Sequence, residues 1–147
     1  MDIRIAAYGV IIRDGEILLS HWNEHGRSAW TLPGGGIEGT EHPVEAARRE
    51  IHEETGYDAE IERLLGIDTM VVPAAKRHHG SAPLYALRVV YRARVLGGRL
   101  RNEVGGSSDE ARWFPLEALS ELTRVSLVDI ALRLDADEPG DGAPRRP

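Results

Sequence analysis

Runs of apolar residues separated by polar segments predict β-strands in the first and middle parts of the chain. Residues 3–13 and 16–20 are rich in Ile, Val, Leu and Ala, and Asp14-Gly15 lies between them. Because Gly tolerates positive φ, this dipeptide favours a tight turn, and we predict an antiparallel hairpin. β-Branched and apolar side chains also predict strands over residues 58–72 and 84–96.

One strong helix is predicted between these regions, over residues 42–55. Pro43 suits the first helical position, and Gly56 suits the left-handed position that ends a helix. An apolar stripe recurs at helical spacing and should pack on a sheet: Val44, Ala47, Ile51 and Thr55. Glu45 and Arg49 stand four residues apart in the order that favours an ion pair.

The remaining segments predict loops and short elements within one domain, which suits a chain of 147 residues. We predict loops over residues 21–30, 73–83 and 103–109, a strand over 111–114, and helices over 115–122 and 127–134. Residues 135–147 have the composition of a disordered tail. The expected domain therefore covers residues 1–134.

Composition excludes several kinds of site. With no Cys, the chain has no disulfide, thiolate zinc site or cysteine nucleophile. No apolar run approaches the roughly 20 residues that span a bilayer, and the start lacks a signal-peptide pattern, so we expect a cytoplasmic protein with no membrane partner. The net charge of -6 argues against binding of polymeric nucleic acid, although cations can join carboxylates to small phosphate ligands.

Three glutamates emerge together on one flank of the predicted helix. Glu50, Glu53 and Glu54 stand at i, i+3 and i+4. Acidic residues on a helix are commonly just solvated, but these lie only about 100° around the helix from Ile51, where desolvation makes their repulsion costlier. A glycine run at residues 34–36 precedes them. A cation relieves the repulsion, and hard oxygen ligands suit Mg²⁺ or Mn²⁺.

A longer pattern surrounds this cluster and covers residues 35–57. Its matching positions are Gly35, Glu41, Arg49, Glu50, Glu53, Glu54 and Gly56. The pattern resembles the signature box of the Nudix hydrolase superfamily, of MutT-like type. The resemblance implies an α/β fold, a Nudix-type α/β/α sandwich with a mixed β-sheet. It also implies metal-dependent cleavage of a phosphoanhydride bond in a nucleoside diphosphate linked to another moiety, such as a nucleoside triphosphate or an ADP-ribose-like molecule.

The resemblance also assigns roles to residues, position by position. It implies that the three glutamates bind Mg²⁺ (or Mn²⁺), with the backbone carbonyl of Gly34 as a further ligand. Arg49 would orient the cluster through charge-assisted hydrogen bonds, and Glu41 would support it. Family members often form homodimers, so a homodimer is an expectation for this chain.

The general base stays open between two sources. It is either a box glutamate, Glu53 or Glu54, or a carboxylate of a later loop, Asp109 or Glu110. Glu110 resembles the late glutamate that precedes an aromatic strand in some family members. A solvated loop residue is the competing interpretation, because loops collect both functional and merely soluble carboxylates.

Basic loop residues are candidates for binding the phosphates of a nucleotide-like substrate. Arg27 and Arg77 are the two we select, and Lys76, His78 and His79 are close neighbours in the second loop. Exposed basic residues in loops usually face water. A zinc site at the two adjacent histidines is disfavoured, since neighbours in an extended chain point to opposite sides.

A competing function is a non-catalytic nucleotide-binding sensor or regulatory domain of the same fold. Such domains lose activity by losing acidic ligands, and here every acidic position of the box is present. The complete set of carboxylates therefore favours an enzyme.

Overall fold

A computed structural model of the chain describes residues 1–77 and 79–137. Its first sheet contains β1 (Asp2–Val10), β5 (Gly34–Gly36), β6 (Tyr57–Val72) and β7 (Leu84–Gly98). The strand order is β5-β1-β7-β6. β1 and β7 are parallel, whereas β1 with β5 and β6 with β7 are antiparallel. The sheet is therefore mixed, as predicted.

The second sheet is built around one central strand. It contains β2 (Ile12–Arg13), β3 (Glu16–Glu24), β4 (Arg27–Thr31) and β8 (Ser108–Pro115). β3 pairs with β8 along one edge and with β2 and then β4 along the other, always antiparallel. The predicted hairpin turn is confirmed, because Asp14 and Gly15 both have positive φ, 53° and 76°, between β2 and β3.

The predicted central helix is confirmed as α1 (Pro43–Thr55). Its start is closed by a reciprocal capping box, in which Nδ1 of His42 accepts from the backbone N–H of Val44 and Glu45 accepts from the backbone N–H of His42. Its end is closed by Gly56, which has φ of 82°. These caps stabilise the helix that carries the box glutamates.

The other helical segments are short. α2 (Ser126–Ala136) follows β8, and two 3₁₀ helices cover Ala74–Lys76 and Leu116–Glu121. The segment predicted as a helix after Pro115 is thus a tighter 3₁₀ turn. Within residues 1–77 and 79–137, no helix is long and apolar enough to cross a bilayer.

The two α-helices cover opposite faces of the first sheet. On one face, Ala7 of β1 packs with Ala46 and Ala47 of α1. On the other face, Val10 of β1 packs with Leu127 of α2. Since alternate residues of a strand point to opposite faces, β1 contributes to both layers. The result is the α/β/α sandwich that the sequence resemblance implies.

The apolar core between the two sheets is closed at one end by α2. Val10 and Val90 of the first sheet meet Ile17 of the second sheet and the apolar face of α2. The other end of β1 adjoins the loop between β6 and β7, where the backbone N–H of Asp2 donates to the carbonyl of Pro83. The inter-sheet space therefore has an end closed by α2 and an end bordered by this loop.

Two sequence predictions about strands are wrong. Residues 3–13 are not one strand, because β1 belongs to the first sheet and β2 to the second, with Ile11 between them. Residues 21–30 are not a loop, because β3 extends to Glu24 and β4 begins at Arg27. The second error arises because the hairpin is largely exposed and can carry polar side chains while its backbone groups pair.

The predicted start of the tail also falls inside an element. Asp135 and Ala136 belong to α2, and Asp135 accepts a hydrogen bond of 2.7 Å from Arg92 of β7. Residues 138–147, the rest of the predicted tail, lie outside the described residues.

Candidate active site

Arg49 joins most of the acidic residues of the box into one network. Its Nε and Nη2 donate to both carboxylate oxygens of Glu41, at 2.7 and 2.9 Å. Its Nη1 donates to Glu50 at 2.9 Å and to Glu53 at 3.3 Å, and its Nη2 also reaches the carbonyl of Gly36 at 3.0 Å. The guanidinium therefore contacts two predicted metal ligands, Glu50 and Glu53.

The expected ion pair between Glu45 and Arg49 is not formed. Glu45 instead caps His42, and Arg49 turns to Glu41, which lies before the helix. The bidentate contact with Arg49 holds the pKa of Glu41 down, at about 2. The planar guanidinium of Arg49 forms two hydrogen bonds to Glu41, and this geometry suits a carboxylate better than the single contact of an ion pair along the helix surface.

Glu54 is the most buried carboxylate of the site. Glu54 is 6% exposed, and both of its carboxylate oxygens accept hydrogen bonds. The backbone N–H of Gly34 donates to Oε2 at 2.7 Å, and the hydroxyl of Ser108 donates to Oε1 at 2.9 Å. Ser108 in turn accepts from the hydroxyl of Ser20 at 2.8 Å. Glu54 is thus fixed between the glycine strand and β8.

The glycine strand lies directly against Glu50. A Cβ atom at Gly35 would lie 2.7 Å from Cδ of Glu50 and within 2.9 Å of both its oxygens. Only a residue without a side chain permits this approach of backbone to carboxylate. The box glycine therefore has a steric reason that is visible in the structure.

Crowding and burial act on the charges of this cluster. Burial raises the pKa of Glu54 to about 8, the repulsion by Glu50 adds to that effect, and the hydrogen bonds from Gly34 and Ser108 oppose it. Burial also raises the pKa of Glu50, against the influence of Arg49. Glu53 is more open, with 45% of its side chain exposed. Repulsion among buried carboxylates favours uptake of either protons or a cation.

The donor set fits a hard divalent cation, because it consists of carboxylate oxygens next to the backbone of a glycine strand. Within the described part of the chain, the three carboxylates do not all come within 4.8 Å of one another. Glu54 and Glu50 are held by their neighbours, so Glu53 has the most freedom to complete a shell.

A family model for the NUDIX domain matches residues 3–132. The chain belongs to the Nudix family. The match spans α1, the glycine strand and β8, and so includes every residue of the network around Arg49 and Glu54.

Similar proteins agree with this membership. An ADP-ribose pyrophosphatase of Methanocaldococcus jannaschii is 33% identical over 119 residues, which cover 80% of this chain and 65% of the relative. An 8-oxo-dGDP phosphatase of Homo sapiens is 32% identical over 125 residues, which cover 81% of this chain and 35% of the relative. The chain thus spans less than two thirds of the length of either protein. A solved MutT Nudix hydrolase of Burkholderia pseudomallei has a TM-score of 0.72 at 27% identity and covers 91% of this chain and 98% of its own.

A further carboxylate near the Nudix helix is absent from the sequence predictions. Glu103, in the loop before β8, has a pKa raised chiefly by burial and also by the charge of Glu53. Its own charge acts on Glu50 and Glu54. The loop is placed by contacts far apart in sequence, such as the bond from the N–H of Arg101 to the carbonyl at the end of α1. The sequence shows that a carboxylate lies in the loop before β8, but it does not show which residues that carboxylate meets.

The later carboxylates considered as a general base have other partners. Glu110 forms an ion pair with Arg112, two residues along β8. Asp109 accepts from Asn23 at 2.9 Å and contacts Nδ1 of His21 at 2.7 Å, and these hydrogen bonds lower its pKa. From β8 it is Ser108 that reaches the Nudix glutamates.

The two arginines selected for substrate binding differ in their surroundings. Nη1 of Arg77 donates to Asp2 at 2.6 Å and to the carbonyl of Ala82, and only 13% of its side chain is exposed. Arg77 therefore ties its loop to the start of β1. Arg27 is exposed at the start of β4, and among the described residues its side chain has no hydrogen bond or ion pair.

Proposed function

We propose that this Nudix protein hydrolyses a phosphoanhydride bond in a nucleoside diphosphate linked to another moiety. The observation that carries the proposal is the network in which Arg49 holds Glu50 and Glu53 while Gly34 and Ser108 hold Glu54. The names of the relatives, a pyrophosphatase and a phosphatase, support a hydrolase that acts on such anhydrides.

Glu50, Glu53 and Glu54 would hold Mg²⁺ or Mn²⁺, with the carbonyl of Gly34 as a further ligand. When bound, such a cation supplies positive charge to the oxygens of a pyrophosphate and increases the acidity of water. The residues of this chain then position the cation against the substrate phosphates, and such positioning is most of what phosphoryl transfer requires of a protein. Arg49 keeps two carboxylates in place, and Glu54 cannot rotate away because both its oxygens are held.

Glu103 is our candidate for the residue that takes the proton of the attacking water at a carboxylate oxygen. Its charge acts on all three Nudix glutamates, or is acted on by them, whereas Glu110 is bound to Arg112. A carboxylate that burial makes more basic is suited to accept a proton near neutral pH. We expect Glu103→Gln to lower kcat by about 10²-fold or more and Glu110→Gln to leave it nearly unchanged. The reverse order would assign the base to β8.

The proposal is tested by replacing Glu53 and Glu54 separately by Gln and measuring phosphate or nucleotide release with Mg²⁺. Both variants should lose most of their turnover, since a cation ligand is removed in each. Glu117→Gln, on the exposed side of a 3₁₀ helix, is the matched control. Full turnover in both site variants would overturn the proposal, and so would tight nucleotide binding by calorimetry without hydrolysis, the result expected of a sensor domain.

We propose two alternative classes of nucleotide substrate. An ADP-ribose-like molecule and a nucleoside di- or triphosphate are both compatible with the named relatives. A panel of these substrates, each with Mg²⁺ and with Mn²⁺, decides between them by kcat/KM. The expected homodimer is tested separately by light scattering of the purified chain.

A further inference from the structure

A second cluster of metal-binding side chains lies away from the Nudix helix. Glu24, His25 and His79 each place one ligand atom within 4.8 Å of the others. Nε2 of His25 is 3.5 Å from Oε1 of Glu24, and the rings of His25 and His79 meet edge to face with centroids 5.2 Å apart. We propose that these three residues form a second metal site, selective for a transition metal ion of the zinc class.

The ligand types differ from those of the Nudix site. Two imidazoles and one carboxylate are a set that Zn²⁺ accepts, and imidazole binds Zn²⁺, Ni²⁺ and Cu²⁺ well, whereas Mg²⁺ prefers oxygen alone. Ligands around a tetrahedral Zn²⁺ lie about 3.3 Å apart, given bonds of about 2.0 Å. Both histidines are exposed, so their side chains can close the remaining distance without disturbing the core.

Two features of the hairpin between β3 and β4 orient the ligands. The indole N–H of Trp22 donates to Oε2 of Glu24 at 3.1 Å, which leaves Oε1 on the side of His25. Such outer hydrogen bonds commonly orient metal-binding carboxylates. His25 itself has φ of 53° and precedes Gly26 with φ of 75°, in a two-residue turn between paired residues Glu24 and Arg27. The backbone therefore sets where this imidazole starts.

The position of the cluster gives an ion there a structural consequence. Glu24 and His25 belong to the second sheet, whereas His79 belongs to the loop between β6 and β7 of the first sheet. Arg77 ties the same loop to Asp2, at the end of β1 that α2 does not cover. An ion bound by all three ligands would connect the two sheets at this end of the inter-sheet space.

The test is a titration of the tag-free full chain with Zn²⁺, by calorimetry or native mass spectrometry, in excess Mg²⁺. We expect one equivalent of Zn²⁺ that Mg²⁺ does not displace. His25→Asn and His79→Gln should each weaken it at least about tenfold, since loss of even an outer partner typically weakens metal binding by about 10- to 100-fold. Asn is chosen at residue 25 because it tolerates positive φ.

The controls separate this site from the Nudix site. His52→Gln removes an exposed histidine that contacts Asp58 instead, and it should bind Zn²⁺ like the unchanged chain. Glu53→Gln with Glu54→Gln should also keep the equivalent, so failure of the proposed function leaves this test intact. Hydrogen exchange should show slower amide exchange at residues 24–27 on Zn²⁺ addition.

Several results would overturn the proposal. One is the absence of Zn²⁺ uptake, and another is equal weakening by His52→Gln, which would show general binding by surface histidines. Unchanged affinity in both His25→Asn and His79→Gln would do the same. Thermal unfolding without Zn²⁺ checks that each variant is folded, and if one is not, Glu24→Gln takes its place in the comparison.

Discussion

At the scale of single residues, the site depends on the absence of a side chain at Gly35. Gly35 leaves the space that Glu50 occupies, and the nearest obstacle to a Cβ there is the end of that flexible side chain. A methyl group at this position therefore displaces Glu50 more readily than it displaces the backbone.

We expect Gly35→Ala to keep the fold and to lower kcat by about 100-fold, because it displaces Glu50, a proposed metal ligand, and a shift of about 1 Å in an active site can have an effect of that size. Steady-state kinetics and a thermal melt measure the two quantities. Gly97→Ala is the control, since a Cβ at Gly97 meets nothing within 4 Å. Loss of folding in Gly35→Ala, or unchanged kcat, would contradict the explanation.

Glu41 supplies a pH-dependent part of stability. Its pKa is lowered from an ordinary 4.5 to about 2 in the folded chain by Arg49 and by the backbone N–H of Glu38. A lowered folded pKa adds stability that is present above the unfolded pKa and lost as pH falls through the folded one. We expect Glu41→Gln to lower the free energy of unfolding at pH 7, and the difference from the parent chain to shrink between about pH 4.5 and 2. Urea denaturation at several pH values measures this, and a constant difference would refute it.

At the scale of elements, the capping of α1 stabilises the helix that carries the proposed metal ligands. His42 and Glu45 satisfy backbone N–H groups that the first turn of a helix leaves without partners. Ile51, on the buried face of α1, contributes about 2 kcal/mol by burial of its side chain. Cap and buried face together hold the glutamates in register with the glycine strand.

We expect His42→Ala to lower the free energy of unfolding by about 1 kcal/mol, the usual effect of removing an N-cap. His42→Asp should recover it, because Asp is a preferred N-cap and its charge suits the positive end of the helix dipole. Chemical denaturation compares them with Arg48→Ala, an exposed change in the same helix that should stay within about 0.5 kcal/mol. If His42→Ala lowered the free energy of unfolding less than Arg48→Ala does, the cap at His42 would not stabilise the helix.

At the scale of the whole molecule, an ion pair fastens α2 to the first sheet. Asp135 accepts from Arg92 at 2.7 Å and lies 3.6 Å from Arg63, and its side chain is 16% exposed. Arg92 is the register partner of Val10, so the pair lies at the end of the inter-sheet core. This end is closed by α2, whereas the opposite end is bordered by a hairpin and a loop.

We expect Asp135→Ala to destabilise the chain by about 1 to 3 kcal/mol, because a half-buried arginine is left without its partner. Glu117→Ala, an exposed change at a side chain with no hydrogen bond or ion pair among the described residues, should change stability by less than about 0.5 kcal/mol. Urea denaturation of both variants gives the comparison. Equal stabilities would show that apolar packing alone holds α2.

Local geometry explains which features could be predicted from the sequence. The grouping of Glu50, Glu53 and Glu54, the ends of α1 and the turn at Asp14-Gly15 follow from helical spacing and from the φ that Gly permits. These depend on residues within about one turn of each other, so the sequence carries them directly. The strands that apolar and β-branched residues predict over residues 58–72 and 84–96 are confirmed as β6 (Tyr57–Val72) and β7 (Leu84–Gly98).

Tertiary structure alone decided which distant residues meet. Ser108 reaches Glu54 and Glu103 approaches the cluster because β8 pairs with β3 and the preceding loop returns to the end of α1. Arg49 pairs with Glu41 and not with Glu45, and His79 meets His25, for the same kind of reason. Such contacts are selected by burial and strand pairing over the whole chain, and no short-range pattern encodes them.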